Sequence, residues 1–305
     1  MKVGAESLFR PELGRLLARA WAARAEHFPP QLGVVRPQRT AAVSVTGRRC
    51  ELDCAHCGGH YLAGMLPLPE FLAGRGEPGR AGTASRYKSC LVSGGCDRQG
   101  RVPLAEHREE LAALRRELRL NLHVGLVDEA GARAAAELAE VVSFDFVGDE
   151  ETIRQVYGLS ASVQDYLASL RALRRYARVV PHICLGLHGG RMRGEWRAVE
   201  LLAEEGVEAL AFLVFVPTRG TRFAGCPLPD LGEVAELLAR SRLLLPRTPL
   251  YLGCMRPGGR YRDWLDVVAV QCGVNRLVLP SPLAVQYAQG MGLFLVESDE
   301  CCVLS

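Results

Sequence analysis

The hydrophobic positions of the chain fall into short runs from residue 41 onward, and these runs alternate with longer segments that carry apolar residues at helical spacing. A short run rich in Val, Ile and Leu is typical of a parallel strand covered on both faces, and the spaced segments predict amphipathic helices. This repetition predicts an α/β fold whose parallel strands close into a full or partial TIM-type (β/α) barrel. The predicted strands cover residues 41–46, 89–93, 121–127, 141–147, 179–187, 209–216, 249–254 and 276–279. The predicted helices cover residues 104–118, 130–138, 162–177, 196–205, 231–243 and 264–272.

The same pattern divides the chain into three parts. Residues 1–40 are predicted to form an N-terminal helical extension, because Leu and Ala recur at helical spacing over residues 11–25. Residues 41–285 are predicted to form the barrel. Residues 286–305 are predicted to form a C-terminal tail that carries a pair of cysteines.

Composition and charge narrow the class of protein. A chain of 305 residues with 49% hydrophobic residues has enough apolar side chains for a core of this size. The formal net charge of +3 is too small to indicate binding to nucleic acid or to a membrane surface, and no apolar run is long enough to span a bilayer. Eleven cysteines in a chain of this length favour reduced, metal-binding thiols over a disulfide framework, so we expect a cytoplasmic protein.

The strongest chemical signal is the loop after the first predicted strand, where Cys50, Cys54 and Cys57 form a C-x3-C-x2-C pattern with His56 before the last cysteine. Three thiolates on one tight loop suit three irons of a [4Fe-4S] cluster, and the absence of a fourth cysteine nearby leaves one iron open for a ligand. The spacing differs from the usual zinc layouts. A structural zinc loop or three unrelated thiols are the alternatives.

This pattern resembles that of the radical S-adenosylmethionine (SAM) superfamily. The resemblance implies that the open iron chelates the amine and carboxylate of SAM. An electron from the cluster then splits SAM into methionine and a 5′-deoxyadenosyl radical, which abstracts hydrogen from a substrate. It also implies an electron donor of the ferredoxin or flavodoxin type. His56 stands where Tyr, Phe or Trp is commoner, and the cysteine loop lies at the carboxyl ends of the strands, where barrel active sites form.

The second predicted strand ends in Ser93-Gly94-Gly95-Cys96-Asp97, and paired glycines allow a ligand to approach the backbone closely. The segment resembles the Gly-Gly-Glu motif that receives the SAM amino group in the superfamily. Cys96 stands in place of the usual Glu. The resemblance therefore implies that the backbone carbonyls of Ser93 and Gly94, with Asp97, contact the amine.

Two acidic residues follow the fourth predicted strand. By resemblance to the biotin synthase group, Asp145 is the candidate that binds the SAM ribose hydroxyls. Asp149 precedes two glutamates, and this spacing indicates a helix N-cap.

Two later loops resemble the adenine side of the SAM site. His188 precedes a glycine pair and is either a ligand contact or a strand end. Phe215 and Val216 precede a proline and a Gly-Thr pair, as in the biotin synthase group, which implies that their backbone groups line the adenine. Arg193 and Arg219 are candidate anion contacts.

Eight cysteines lie outside the first motif, and free cysteine is a common core residue. Cys184 and Cys272 are interpreted as packing residues. We expect the tail to fold back over the barrel opening, where rim cysteines would hold a second Fe–S cluster. In biotin synthase and lipoyl synthase, which this chain resembles, a second cluster supplies sulfur. The tentative ligands of this auxiliary cluster are Cys96, Cys254, Cys301 and Cys302.

Three functions remain open from the sequence. The first is a sulfur-inserting enzyme that resembles biotin synthase, or one component of the two-protein lipoyl synthase with a paired radical SAM subunit and a small-molecule or lipoyl-domain-bound substrate. The chain lacks the N-terminal cysteine motif and the C-terminal Arg-Ser-Ser-Tyr of ordinary lipoyl synthase. The second is an isomerase of the methylornithine synthase type, without sulfur donation. The third is a non-catalytic Fe–S protein.

Overall fold

The computed structural model describes residues 10–74 and 86–304. Within these ranges eleven strands form one parallel sheet in the order β11-β1-β10-β9-β8-β7-β6-β5-β4-β2-β3, which curves into an open, partial barrel. The predicted fold class is confirmed. The strands are β1 Gln31–Val35, β2 Thr40–Ser44, β3 Leu66–Pro67, β4 Ser89–Ser93, β5 Arg119–His123, β6 Val141–Asp145, β7 Val179–Leu185, β8 Leu210–Val214, β9 Leu250–Leu252, β10 Arg276–Val278 and β11 Phe294–Ser298.

Helices cover the outer face of the sheet, and the predicted ones are present with ends shifted by a few residues. None of the helices in the described ranges combines the length and apolar character that crossing a bilayer requires. Short 3-10 turns lie at His60–Gly64 and Leu104–His107, and a π-helical turn lies at Ile153–Tyr157. The α-helices are α1 Pro11–His27, α2 Leu68–Ala73, α3 Arg108–Arg115, α4 Glu129–Leu138, α5 Glu150–Thr152, α6 Val163–Arg174, α7 Glu195–Glu204, α8 Leu231–Leu244, α9 Gly259–Gln271 and α10 Pro282–Gly290.

Alternation along each strand creates two separate apolar clusters. In β6, Val142 and Phe144 point outward into the large core beneath the helices, whereas Val141 belongs to a small cluster inside the barrel. In β7, Ile183 points outward and Val180 points inward. Because side chains alternate with a period of two, every second residue of each strand lines the barrel interior, which we call the lumen.

Two strands at one end of the sheet were not predicted. β1 lies in the predicted helical extension and β11 lies in the predicted tail, and the two pair with each other in parallel. Gly33 breaks the apolar pattern of β1, but a Cβ there would lie 2.6 Å from Cγ of Arg276, so the position favours glycine. β11 is an edge strand with its apolar Phe294 70% exposed, which removes the alternation that would identify a half-buried strand.

The tail does not fold over the barrel opening, as expected from sequence, but closes the opposite end. Arg119 and Arg276 are the first residues of β5 and β10, and they donate to the carbonyls of Leu304 (2.6 Å) and Cys302 (2.5 Å). Val303 and Leu304 are buried against the inner apolar cluster. The amino-terminal strand ends would otherwise expose Val141 and its inner neighbours, so the tail forms the floor of the lumen.

Candidate active site

The cysteine loop follows β2 at the carboxyl edge of the sheet and is held by three separate segments. The Glu51 amide donates to the carbonyl of Cys96 (2.8 Å), and the Ala55 amide donates to the carbonyl of Val156 (2.7 Å). The Phe223 amide donates to the carbonyl of Ala55 (3.0 Å). Loops from three parts of the barrel mouth therefore fix the backbone of a segment that has no regular secondary structure of its own.

The three motif thiols lie in different environments. Cys54 is buried, and Cys50 and Cys57 are half-buried. A hydrogen bond from the Cys54 thiol lowers the pKa of Cys57 to about 7, and the same contact together with burial raises the pKa of Cys54. Thiolate is the form that binds iron, so the lowered pKa of Cys57 favours iron binding at that position. Cys54 would lose its proton when iron binds.

The sulfurs do not form a single-ion site. Across the described residues, no three His, Cys, Asp or Glu side chains converge closely enough to hold one metal ion. A cube takes one protein sulfur per iron, so its ligands are spaced more widely than those of a mononuclear site. Three thiols on a fixed loop are compatible with the predicted [4Fe-4S] cluster.

The glycine pair after β4 packs directly against the cysteine loop. A Cβ on Gly95 would lie 2.0 Å from the carbonyl oxygen of Arg49 and 2.5 Å from Cα of Cys50. The Gly95 amide donates to Oγ1 of Thr46 (2.7 Å). The Asp97 carboxylate accepts from the amides of Gln99 and Arg101 through Oδ1, both at 2.9 Å, and its Oδ2 is still able to accept from an amine. The carbonyls of Ser93 and Gly94 remain the proposed amine contacts.

His56 supplies an unsatisfied polar atom beside the loop. Its Nδ1 is buried and has no hydrogen-bond partner within the described residues, while its ring stands edge-on to Tyr157 with centroids 5.4 Å apart. Burial lowers the pKa of His56 to about 4, so the ring is neutral near pH 7. Native buried polar atoms almost always have partners, so this orphan indicates space for a polar ligand at the cysteine loop.

The structure places the other predicted SAM residues around the same mouth. Phe215 is buried with its ring edge-on to Phe223, and its amide is used by the carbonyl of Leu185 (2.9 Å). The carbonyl of Val216 accepts from the Thr218 hydroxyl (3.0 Å) and retains a second lone pair. A backbone contact with adenine is therefore still available at Val216, but the Phe215 amide is already engaged.

His188 and Asp149 belong to one small network. The carboxylate of Asp149 accepts from the Thr152 amide (2.8 Å), which confirms the predicted N-cap. Nδ1 of His188 lies 3.3 Å from Oγ1 of Thr152, and Nε of Arg193 donates to Asp149 (2.8 Å). Arg193 is thus paired within the protein.

Glu195 is a site-organising residue that the sequence analysis missed. Its buried carboxylate accepts from the amides of Gly186 (2.8 Å), Arg193 (2.6 Å) and Gly194 (3.0 Å). Three amide donors to one carboxylate fix the loop after β7, which carries His188.

Comparison with known proteins agrees with this geometry. No protein-family model matches the chain. It is 27% identical over 292 residues to biotin synthase of Halorhodospira halophila, covering 90% of this chain and 84% of that protein. It is 26% identical over 261 residues to biotin synthase of a Synechococcus strain, covering 82% of each.

Solved structures show the same fold. Methylornithine synthase superposes with a TM-score of 0.65 at 18% identity, covering 95% of this chain and 91% of that one. The FeFe-hydrogenase maturase of Carboxydothermus hydrogenoformans superposes with a TM-score of 0.69 at 15% identity, covering 94% and 72%.

The similarity to biotin synthases over most of the chain, together with the shared fold, supports a radical SAM, biotin synthase-like protein. This similarity implies a [4Fe-4S] cluster and SAM as cofactors, and the described residues are compatible with both. The cysteine loop supplies three sulfurs, the space against Gly95 excludes any side chain, and His56 leaves a buried nitrogen without a partner.

The lumen of this radical SAM protein holds a polar cluster that sequence reasoning did not identify. Asp145 ends β6, and its neighbours His123 and His182 point inward from β5 and β7. The two imidazole centroids are 5.4 Å apart, and Nδ1 of His123 lies 3.9 Å from the Asp145 carboxylate. The alternation of side chains along each strand shows which residues share a face. It does not tell which of the two faces lines the lumen.

The four cysteines expected from the sequence to hold one auxiliary cluster separate into two groups. The carbonyl and thiol of Cys96 lie beside the cysteine loop, where Cys50 approaches. Cys254 instead follows β9 and lies within electrostatic range of Cys301: burial of its thiol raises the pKa of Cys254, and Cys301 raises it further. A hydrogen bond with Cys301 and burial raise the pKa of Cys302, and Cys254 adds to the effect.

The two cysteines interpreted as packing residues differ from each other. Cys272 is fully buried and donates to the carbonyl of Ala235 (3.4 Å), as expected for an inert core thiol. Cys184 is half-buried on the lumen side of β7, and burial, followed by Asp145, raises its pKa. Cys184 therefore lines the lumen and also packs against the core.

We expect Gly95→Ala to remove most of the iron bound at the cysteine loop after anaerobic reconstitution. The new Cβ would overlap the backbone of Arg49 and Cys50, so the loop must move. Gly94→Ala is the matched control, because its Cβ would meet the side chain of Val45 at 3.0 Å and not backbone. Iron content and melting temperature are the measurements. Equal iron in the two variants would show that the loop does not need this contact.

Proposed function

We propose that this radical SAM enzyme inserts sulfur at an unactivated C–H position of its substrate. The observation that carries the proposal is the group of three thiols, Cys254, Cys301 and Cys302, which we call the floor thiols. Cys301 and Cys302 lie in the tail that closes the floor of the lumen, and Cys254 follows β9 at the carboxyl end of that strand, whereas the cysteine loop lies at the mouth after β2. A substrate in the lumen would stand between a radical source and a sulfur source.

The mouth residues have distinct proposed roles. Cys50, Cys54 and Cys57 hold the [4Fe-4S] cluster, and Ser93 and Gly94 present carbonyls to the SAM amine. His56, His188 and Val216 line the nucleoside. When bound and reduced, the cluster would supply the electron that splits SAM into methionine and a 5′-deoxyadenosyl radical. The buried walls around the loop exclude water from a species that would react with it.

The floor thiols are positioned by the tail and by the strands above it. The Cys301 amide donates to Oγ1 of Thr40 (2.8 Å), and Nδ2 of Asn121 approaches the Cys301 sulfur at 3.5 Å. A hydrogen bond from Cys302 lowers the pKa of Cys301 to about 7. Soft thiolates of this kind suit an Fe–S cluster, and we propose that the second cluster is held here and not by Cys96.

Iron content tests the proposal. We expect about eight irons per chain after anaerobic reconstitution, and about four in Cys254→Ala, with SAM cleavage retained because the cysteine loop is unchanged. Cys272→Ala is the matched control, since it removes a buried thiol far from the floor. Unchanged iron in Cys254→Ala would remove this residue from the proposed ligand set.

The isomerase alternative, without sulfur donation, predicts about four irons in the wild-type chain and no effect of Cys254→Ala on iron. The fold shared with methylornithine synthase is compatible with either activity. A non-catalytic Fe–S protein would bind iron but would not cleave SAM.

The partners remain part of the proposal. The electron comes from a ferredoxin- or flavodoxin-type donor, and the substrate is a small molecule or a group carried on a lipoyl domain. A paired radical SAM subunit and a cytoplasmic location complete the proposed setting. Reduction by a purified flavodoxin system, measured as 5′-deoxyadenosine formed, tests the donor.

A further inference from the structure

Three residues of the lumen lie close together, and none of them has a role in the function proposed above. His123, Asp145 and His182 end or lie within three consecutive strands, and Asp145 is directly paired in register with His182. The Asp145 side chain is 54% accessible although it stands inside the barrel, so its free surface faces the lumen. These three side chains are called the lumen cluster.

The hydrogen bonds of His182 define which of its nitrogens is available. Nδ1 lies 3.0 Å from the carbonyl of Val180. A carbonyl can only accept, so Nδ1 carries the proton and Nε2 presents a lone pair. Burial lowers the pKa of His182, and also that of His123, to about 4, so both rings are neutral near pH 7.

Asp145 adds further acceptors to the same chamber. Among the described residues, no Lys or Arg nitrogen lies within 4.0 Å of its carboxylate, and the neutral His123 lies at 3.9 Å. Below it, Ser143 donates to Oδ1 of Asn121 (2.9 Å), so that pair is already satisfied. The lumen thus presents an accessible carboxylate and an imidazole lone pair, and both can accept a hydrogen bond from a bound donor.

The residues around the lumen cluster and its position in the barrel indicate which kind of molecule the lumen can hold. Leu91 and Leu213 are half-buried and lie on the inward-facing positions of β4 and β8, which gives the chamber aliphatic sides. Asn121, two residues below His123 on the same face, approaches the Cys301 sulfur. The lumen cluster therefore stands between the floor thiols and the mouth.

We propose that His123, Asp145 and His182 bind an N–H donor group, an amide or an ammonium, on an aliphatic substrate. The inference rests on the proposed function for its place in the reaction, and it assigns Asp145 to the substrate instead of the SAM ribose. Asp145 and Nε2 of His182 accept from the N–H group, and the aliphatic chain lies along Leu91 and Leu213.

Calorimetric titration of the anaerobically reconstituted full chain tests the proposal with four probes that share a six-carbon chain. Hexanamide and hexylammonium carry N–H donors, and N,N-dimethylhexanamide and hexanoate do not. We expect hexanamide or hexylammonium to bind at least about tenfold more tightly than the other two. Equal affinity for hexanamide and N,N-dimethylhexanamide, with no binding of hexylammonium, would overturn the proposal. Tighter binding of hexylammonium than of hexanamide would identify the ammonium form.

Variants separate this site from the SAM site. Asp145→Asn should weaken hexylammonium, and His182→Phe should weaken hexanamide, each by about tenfold, while the exposed Glu106→Gln should change neither. Iron content and the KM for SAM should be unchanged in Asp145→Asn. A raised KM for SAM with unchanged probe binding would return Asp145 to the ribose and overturn the inference. Failure of iron counting in the wild type would instead count against sulfur insertion and leave the binding result standing.

Discussion

Cys54→Ala is expected to abolish 5′-deoxyadenosine formation from SAM while leaving the barrel folded. Cys54 is the buried member of the motif and shares a hydrogen bond with Cys57, so its removal takes away one iron ligand and the contact that lowers the pKa of a second. Its loop is held by backbone hydrogen bonds to Val156 and Phe223, which the substitution does not touch. Chromatographic assay of 5′-deoxyadenosine with a strong chemical reductant is the measurement.

Cys272→Ala is the control for this variant, because it also removes a buried thiol but lies in the core beneath the helices. We expect it to retain cleavage and to lose only a small amount of stability. Full cleavage by Cys54→Ala, with circular dichroism unchanged, would show that the C-x3-C-x2-C loop does not hold the catalytic cluster.

Removal of one partner of the Arg256–Asp266 ion pair is expected to cost about 3–5 kcal/mol of the free energy of unfolding. The two side chains are completely buried, with Nε of Arg256 at 2.7 Å and Nη2 at 3.0 Å from the carboxylate. Asp266→Leu leaves the guanidinium without its carboxylate, and Arg256→Met leaves the carboxylate with only the Ser281 amide and the more distant Arg262, at 3.9 Å. Denaturant titration of each variant measures the loss.

The double variant Arg256→Met/Asp266→Leu should recover much of the loss, because replacement of a buried pair by apolar residues leaves no unpaired charge. The exposed pair Arg240–Glu236 at 2.7 Å is the matched control, and Arg240→Met should change stability by no more than about 0.5 kcal/mol. A loss below about 1 kcal/mol in both single variants would contradict a structural role for the buried pair.

The same ion pair connects stability to the floor thiols. Arg256 also donates to the carbonyls of Gly253 (2.6 Å) and Leu279 (3.3 Å), and the Ser281 amide donates to Asp266 (2.8 Å). Leu279 has a φ of 49°, a strained value for a residue with a side chain. These contacts fix the two loops at the ends of β9 and β10, and Cys254 lies in the first of them.

The cysteine loop could be predicted from sequence because its ligands are local. The spacing of Cys50, Cys54 and Cys57 contains the information that defines the motif, and no distant residue is needed to interpret it. The buried strands β6 and β7 could be predicted because each is a short local run dominated by apolar residues, although Ser143 interrupts β6 and His182 interrupts β7.

The grouping of distant residues could not be predicted in the same way. Cys254 and Cys301 lie near each other only because the tail closes the floor of the lumen, and that depends on contacts of Arg119 and Arg276 with backbone carbonyls. Backbone carbonyls have no sequence signature. His123 and His182 likewise become neighbours through strand order and barrel curvature, which alternation along one strand does not reveal.

Electron paramagnetic resonance of the reduced, anaerobically reconstituted chain, recorded with and without SAM, tests the central claim most directly. The account predicts that SAM changes the spectrum of the cluster held by Cys50, Cys54 and Cys57, because its amine and carboxylate bind the one iron that lacks a protein ligand. The change should persist in Cys254→Ala. A reduced cluster whose spectrum is identical in the two samples would contradict the account.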